Sequence, residues 1–184
     1  IDILFYGNKV SAAYPLRNKI YNILKKIKSE TEYNIEIIEL TSYLNYKSHV
    51  PRDNNLSKLI NRSYFTISTS SKFDLLLKKY IEIPLSNSKL IGNIPSDYKS
   101  LLQDNIININ MDDSEETIHN ILISCIKNKN DLSNINDNFL NKLKNNYSFE
   151  NALEEQITKP KDVPVAGLLR HPTKYHKLNY LQTL

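Results

Sequence analysis

The sequence predicts an α/β fold, namely a Rossmann-like doubly wound parallel sheet with closing C-terminal helices. Three observations predict it: short apolar runs recur along the chain, amphipathic segments separate them, and polar side chains gather directly after the runs. Strands that alternate with helices are typical of parallel βαβ units, whose helices cover both faces of the sheet. We therefore expect one domain over residues 1–157, and a linker or tail over residues 158–184 that could cross to a partner domain.

Short apolar runs predict the strands. Each run is rich in Ile, Leu or aromatic residues, and polar or turn-forming residues follow it. The predicted strands cover residues 1–7, 34–40, 64–69, 89–92 and 106–110. The first strand ends at Gly7-Asn8, a pair that predicts a turn.

Helical periodicity fills most of the gaps between these runs. In residues 12–29, apolar side chains such as Leu16 and Ile20 recur on one face. A helix over residues 115–127 follows an acidic stretch, as the helix dipole favours, and Asp112-Asp113 is expected to cap it. The other predicted helices cover residues 54–60, 73–80 with an extension towards Pro84, 96–103, 132–145 and 149–157.

Composition narrows the class of protein. The net charge is +4 over 184 residues, and the scattered charges do not favour nucleic-acid binding. No apolar run approaches the roughly 18 residues of a membrane span, and no signal peptide is visible. The single Cys125 is expected to be a buried, inert thiol, which indicates a reducing and therefore cytoplasmic location. Because Ile1 lies within a strand pattern, we expect the chain to be an excised or processed piece.

Motifs for the commonest nucleotide and metal sites are absent from the sequence. The turn after the first strand reads Gly7-Asn8-Lys9-Val10-Ser11, which is not G-x-G-x-x-G, and there is no Walker loop. NAD binding and ATP hydrolysis are therefore disfavoured. No H-E-x-x-H, D-x-D or Cys/His cluster indicates a metal.

Polar side chains instead gather in the loops after the first three strands, over residues 8–17, 46–52 and 70–82. Ligands of doubly wound sheets bind beyond the carboxyl ends of the strands, at the switch point, so we expect a site there. The segment Lys79-Tyr80-Ile81-Glu82-Ile83-Pro84 offers one cation for phosphate and one carboxylate for ribose hydroxyls. Backbone N–H groups at a helix start would add positive potential.

Several of these segments together resemble a known family. Tyr14-Pro15-Leu16-Arg17, Tyr64-Phe65-Thr66-Ile67-Ser68, the Lys79–Pro84 segment and Leu90-Ile91-Gly92 are similar to the C-terminal half of a GT-B glycosyltransferase of the glycosyl-transferase group 1 type. Members of that family carry a K-Y-x-E-x-P-A-x-G-like motif. The resemblance covers about residues 1–157 and implies one GT-B half, whose N-terminal partner domain is missing from these residues.

The resemblance implies a donor site and a reaction. The donor would be a nucleotide-diphosphate sugar, such as a UDP- or GDP-sugar, and its sugar would pass to a hydroxyl of a glycan, lipid or protein acceptor without a metal or other cofactor. Glu82 would hold the ribose, and Lys79 and Arg17 would neutralise the diphosphate as charge develops on it. The implied donor-binding residues are Arg17, Lys79, Glu82, Ser70, Ser71 and Asn8. The catalytic residues stay unknown.

Other interpretations of the same residues stay open. Glu82 could be an ordinary solvent-facing helix residue, and Arg17 a surface charge. Where relatives commonly have Gly, this chain has Ser86-Asn87-Ser88, and Asn87 is expected to preserve the left-handed turn. The alternative function is a non-catalytic Rossmann-like interaction domain. A receiver-like signalling domain is less favoured, because Asn8 and Ser70 stand where such domains need acidic residues.

Overall fold

The computed structural model describes residues 1–7, 12–39 and 53–146, except the side chains of residues 53–55. The described residues belong to one compact unit, Ile1–Tyr147. Asn8, the loop at residues 46–52, the predicted helix at 149–157 and the predicted domain boundary at 157/158 lie outside the described residues.

A five-stranded, fully parallel sheet forms the centre of this unit, as the sequence predicts. Its strands are β1 (Ile3–Gly7), β2 (Ile35–Glu39), β3 (Phe65–Ile67), β4 (Lys89–Gly92) and β5 (Ile107–Asn108). Their order is β2-β1-β3-β4-β5, so the chain leaves β1 on one side and crosses back to the other. The switch point of this doubly wound sheet therefore lies between β1 and β3.

Helices cover both faces of the sheet. They are α1 (Pro15–Glu30), α2 (Asp53–Asn61), α3 (Lys79–Leu85), α4 (Lys99–Leu102), α5 (Glu115–Lys127), α6 (Lys129–Leu132) and α7 (Asp137–Asn146), with a 3₁₀ turn at Ser96–Tyr98. The Rossmann-like α/β fold class is thus confirmed. In the part of the chain that the structure describes, no helix has the length and apolar character needed to cross a membrane.

The core consists of two apolar clusters, one on each face of the sheet. Successive side chains of a strand point to opposite faces. Ile3 and Phe5 of β1 accordingly pack with α1 and α5, whereas Leu4 and Tyr6 pack with α3 and α7. This two-sided burial explains why β1 appears as a continuous apolar run in the sequence. It also holds the N-terminal turns of α1 and α3 close to the carboxyl end of β1.

The helix predicted over residues 73–80 is wrong in position, because residues 72–78 are not helical and α3 begins only at Lys79. Asp74 has a φ of 56°, in the left-handed region that interrupts a helix. Its carboxylate accepts hydrogen bonds from the Ser96 N–H at 2.8 Å and the Ser96 hydroxyl at 2.6 Å, which hold it there. Lys79 consequently lies in the first turn of a helix rather than in its last.

The helix predicted over residues 132–145 is divided into α6 and α7. The intervening residues bond locally: the Asn138 N–H donates to Asn136 Oδ1 at 2.8 Å, and Asn134 Nδ2 donates to backbone carbonyls of α6. Asn and Ser side chains compete with the helical backbone in this way. The apolar periodicity that predicted one continuous helix takes no account of that competition.

The predicted bounds of α5 are confirmed, but the residue that caps it is different. Ser114 is the N-cap, and its hydroxyl accepts from the Thr117 N–H at 3.0 Å. Asp113 instead accepts from the Asn110 N–H at 2.7 Å. Within α5, Cys125 is buried in the core as predicted, and burial raises the pKa of its thiol to about 11.

Candidate functional site

Two cationic side chains converge beside the last residue of β1. Gly7 has a φ of +137°, which L side chains rarely adopt. A Cβ built on Gly7 would lie 2.9 Å from Lys79 Nζ and 3.7 Å from Arg17 Nη1. The missing side chain of Gly7 therefore leaves room for both cations at the carboxyl end of β1, next to the switch point.

Lys79 reaches this position from the start of α3. Its ammonium donates to the Tyr6 carbonyl oxygen at 2.6 Å and lies 3.7 Å from the centroid of the Tyr6 ring. The pKa of Lys79 is lowered to about 7, first by burial and then by repulsion from Arg17, while Glu82 acts in the opposite direction. Lys79 therefore titrates near neutral pH.

Arg17 enters from the first turn of α1 and is only 6% exposed. Its guanidinium donates to the Thr69 carbonyl oxygen at 3.3 Å, and its Cζ atom lies 3.8 Å from the centroid of the Tyr14 ring. Burial lowers the pKa of Arg17, but a guanidinium stays charged at neutral pH. The interpretation of Arg17 as a surface charge is therefore wrong.

The charges of this pair are not balanced within the described ranges. Arg17 and Lys79 form no ion pair with a carboxylate there, and both bond to backbone carbonyls and lie against aromatic rings. Two like charges drawn partly out of water repel each other, and each favours a nearby negative charge. The arrangement can accept an anion without first breaking a salt bridge.

Glu82 lies on the same helix as Lys79, three positions further on. Its carboxylate pairs with Lys78 at 2.7 Å, and its side chain is 34% exposed. The Glu82 charge also raises the pKa of Lys79, so Glu82 is close enough to act electrostatically on the cation pair. The structure therefore brings Arg17 and Lys79 together, with Glu82 beside them at the solvent side and engaged with an exposed lysine.

Ser70 and Ser71 follow β3 at the same edge of the sheet, and both are buried. The Ser70 hydroxyl donates to the Ser71 carbonyl at 3.3 Å and accepts from Asn93 Nδ2 at 2.5 Å. The Ser71 hydroxyl accepts from the Phe73 N–H at 3.2 Å. Both hydroxyls thus hold the loop in shape, and their bonding to a donor phosphate stays a prediction.

Asn93 is a structural residue of this edge that the sequence analysis missed. Besides its bond to the Ser70 hydroxyl, its Oδ1 accepts from the Ser70 N–H at 2.9 Å, and its carbonyl accepts from the Tyr80 hydroxyl at 2.6 Å. Asn93 thereby connects the loop after β3, the end of β4 and α3. Its place directly after Gly92, at the end of a predicted strand, is the signal that could have identified it.

Two buried hydroxyls lie beside the bond between Arg17 and Thr69. Ser68 Oγ and Thr69 Oγ1 have no hydrogen-bond partner among the residues that the structure describes. Ser68 is 1% exposed and Thr69 is fully buried. Unpaired hydroxyls are uncommon in protein interiors, and they add polar character to the edge that holds the cations.

The turn at Asn87 behaves as predicted but lies away from the cations. Asn87 has a φ of 58°, so Asn does provide the left-handed conformation. The turn precedes β4, where the Lys89 N–H donates to the Tyr64 carbonyl at the amino ends of the strands. The replacement of Gly at this turn therefore does not affect the edge where Lys79 and Arg17 meet.

Asn8, an implied donor-binding residue, and the loop at residues 46–52, where a ligand site is expected, are outside the described residues. Within the described ranges, no group of three or more His, Cys, Asp or Glu side chains could hold a metal ion. A shallow groove elsewhere is lined by Ile107, Ile121 and Leu132 together with neighbours on α5, and it contains none of the predicted donor residues.

Comparison with known proteins supports the fold only. No protein-family model matches the chain, and no curated protein matches it either. Among solved structures, a chain of the GtfA/B complex is similar with a TM-score of 0.52 and 12% identity, over 85% of this chain and 35% of that chain. AviGT4, a glycosyltransferase involved in avilamycin A biosynthesis, has a TM-score of 0.47 and 9% identity, over 85% of this chain and 48% of its own. The chain thus spans about a third of the GtfA/B chain that it matches.

Proposed function

We propose that this chain is the donor-binding part of a GT-B glycosyltransferase, which binds a nucleotide-diphosphate sugar and supports transfer of the sugar to an acceptor hydroxyl. The observation that carries the proposal is the meeting of Arg17 and Lys79 beside Gly7, at the switch point of the sheet. Doubly wound sheets bind ligands at this place. The fold likeness to the GtfA/B chain is in keeping with the proposal.

The charge of the pair fits a diphosphate leaving group. When a glycosidic bond to a diphosphate breaks, negative charge develops on the phosphate oxygens. Arg17 and Lys79 would stabilise that charge from fixed positions, so the transfer would need no metal ion. A guanidinium can bond two phosphate oxygens at once, whereas an ammonium acts as a compact point charge.

Glu82 is proposed to accept hydrogen bonds from the ribose of the donor. Its carboxylate would have to turn from Lys78, but this surface pair is weak, because exposed ion pairs contribute only about 0–1 kcal/mol. Ser70, Ser71 and Asn8 complete the proposed donor-binding set. We propose that an N-terminal Rossmann domain binds the acceptor, which could be a glycan, lipid or protein, and that the same domain carries the catalytic base.

The alternative is a non-catalytic interaction domain with the same fold. It is favoured by the hydroxyls of Ser70 and Ser71, which are already bonded within the protein, and by the pairing of Glu82 with Lys78. In that case the cation pair would be a remnant without a nucleotide ligand.

Calorimetric titration with UDP and with GDP distinguishes the two. We expect one nucleotide to bind the wild-type chain weakly, and Arg17→Met and Glu82→Ala each to weaken binding by about 1–3 kcal/mol, as buried partners become unpaired. Arg62→Met and Glu116→Ala are matched controls, because both residues are exposed, Arg62 in the turn after α2 and Glu116 on α5. The nucleotide affinity of both control variants should equal that of the wild type.

Binding of neither nucleotide to the wild type would support the interaction domain and contradict the donor site. The proposal also implies that the isolated chain transfers sugar poorly, since the acceptor side is assigned to another domain. Full transfer activity of the 184-residue chain alone would contradict that assignment.

A further inference from the structure

The electrostatic surroundings of Lys79 differ from those of an ordinary phosphate-binding lysine. In the described part of the chain, β1 supplies the Tyr6 carbonyl and ring, α1 supplies the Arg17 cation, and α3 supplies Glu82, which is itself paired with Lys78. The neighbouring cation and the partial burial both oppose the charged form of Lys79. The face of the Tyr6 ring and the Glu82 carboxylate favour the charged form, but the carboxylate is shared with another lysine.

A neutral Lys79 amine is compatible with this geometry. An amine can still donate one N–H to the Tyr6 carbonyl, which is the hydrogen bond observed at 2.6 Å. An ammonium has three N–H groups, so beyond the Tyr6 carbonyl and the face of the Tyr6 ring it needs one further acceptor. A phosphate oxygen beside Gly7 would supply both an acceptor and the missing negative charge.

We infer that Lys79 gains a proton when an anionic ligand binds beside Gly7, so that binding of a nucleotide sugar is coupled to proton uptake from the solvent. The step converts the amine to an ammonium and changes no covalent bond of the ligand. This inference rests on the proposed function, because it concerns the same site. It adds a dependence on pH that a permanently charged residue such as Arg17 would not produce.

The size of the coupling follows from the protonation of the free protein. With a pKa of about 7, Lys79 would be neutral in about nine of ten molecules at pH 8, and in about one of ten at pH 6. Full protonation on binding then takes up about 0.9 proton per ligand at pH 8 and about 0.1 at pH 6. Affinity should fall by up to about tenfold per pH unit above pH 7.

Calorimetry with UDP-glucose and GDP-mannose tests the inference. Both are diphosphate diesters and lack the terminal phosphate that titrates near pH 6. Titrations at pH 6 and pH 8, in buffers with different heats of ionisation, give the number of protons taken up. We expect uptake at pH 8 by the wild type, and binding without uptake by Lys79→Arg, whose side chain is always charged.

Binding of either nucleotide sugar at pH 8 without proton uptake would overturn the inference and leave the proposed donor site intact. Uptake that persists in Lys79→Arg would overturn it as well. If neither nucleotide sugar binds, the donor proposal fails, and NMR titration of the lysine ε-carbons in sulfate against chloride of equal ionic strength decides the inference. A raised Lys79 pKa in sulfate supports it, and an unchanged pKa overturns it.

Discussion

Replacing Lys79 by Met should change how the free energy of unfolding depends on pH. The pKa of Lys79 is about 7 in the folded protein, against an ordinary value of 10.5. Between these two values the unfolded chain binds more protons than the folded one, so the folded state gains stability as pH rises. Below about pH 7 both states hold the proton, and the penalty for the charged form is fully present. Lys79→Met lacks this dependence.

The magnitude can be worked out from the two pKa values. The full shift corresponds to at most about 5 kcal/mol, and about 2 kcal/mol of it falls between pH 7 and pH 9. The wild type should therefore gain about 2 kcal/mol relative to Lys79→Met over this interval, or less, since Lys79 is partly exposed. Urea unfolding followed by circular dichroism at pH 7, 8 and 9 measures the difference.

The matched control is Lys26→Met, because Lys26 is an exposed lysine on another helix, α1, and pairs with none of the described groups that face Lys79. Its difference from the wild type should be the same at all three pH values. The thiol of Cys125 also titrates in the alkaline range, but it is present in every variant and cancels in the comparison. A difference between wild type and Lys79→Met that stays constant from pH 7 to pH 9 would refute the reasoning.

Three further substitutions test the geometry of the sheet edge and of α5. Gly7→Ala should lower the free energy of unfolding by about 1–3 kcal/mol, because φ is +137°, and should weaken nucleotide binding, because its methyl group displaces the Lys79 ammonium. Gly92→Ala should lower the free energy of unfolding more than Gly7→Ala does, since its Cβ would lie 1.6 Å from the Ser68 carbonyl oxygen and push β3 and β4 apart. Equal losses of the two variants in urea unfolding would contradict this. Ser114→Ala removes the cap of α5 and should lower stability by about 1 kcal/mol while calorimetric nucleotide affinity stays unchanged.

The parts of the fold that sequence predicted are those set by local pattern. The apolar run of β1 and the one-faced periodicity of α1 depend on neighbouring residues alone, and both appear with small shifts at their ends. The acidic stretch before α5 predicted where that helix begins. Asn87 was identified from its own backbone preference. Each of these signals lies within a few residues of the feature that it predicts.

Two of the errors arise where contacts distant in sequence decide the local structure. Leu75, Leu76 and Leu77 look helical, but the left-handed Asp74 is held by Ser96, 22 residues later. The burial of Arg17 depends on a carbonyl 52 residues away, so helical spacing alone left its position open. No window of 10 to 20 residues contains both partners of either contact.

The position of the cation pair is a consequence of the sheet order. β1 pairs with β2 on one side and with β3 on the other, so the helix after β1 and the segment after β3 emerge at the same edge. Arg17 and Lys79 are 62 residues apart, yet both must end beside Gly7. Holding them there with no carboxylate partner among the described residues disfavours the charged form of Lys79, which lowers the stability of the ligand-free protein near neutral pH. A bound anion would relieve that repulsion. The same arrangement that lowers the stability of the ligand-free protein is therefore expected to raise its affinity for a diphosphate.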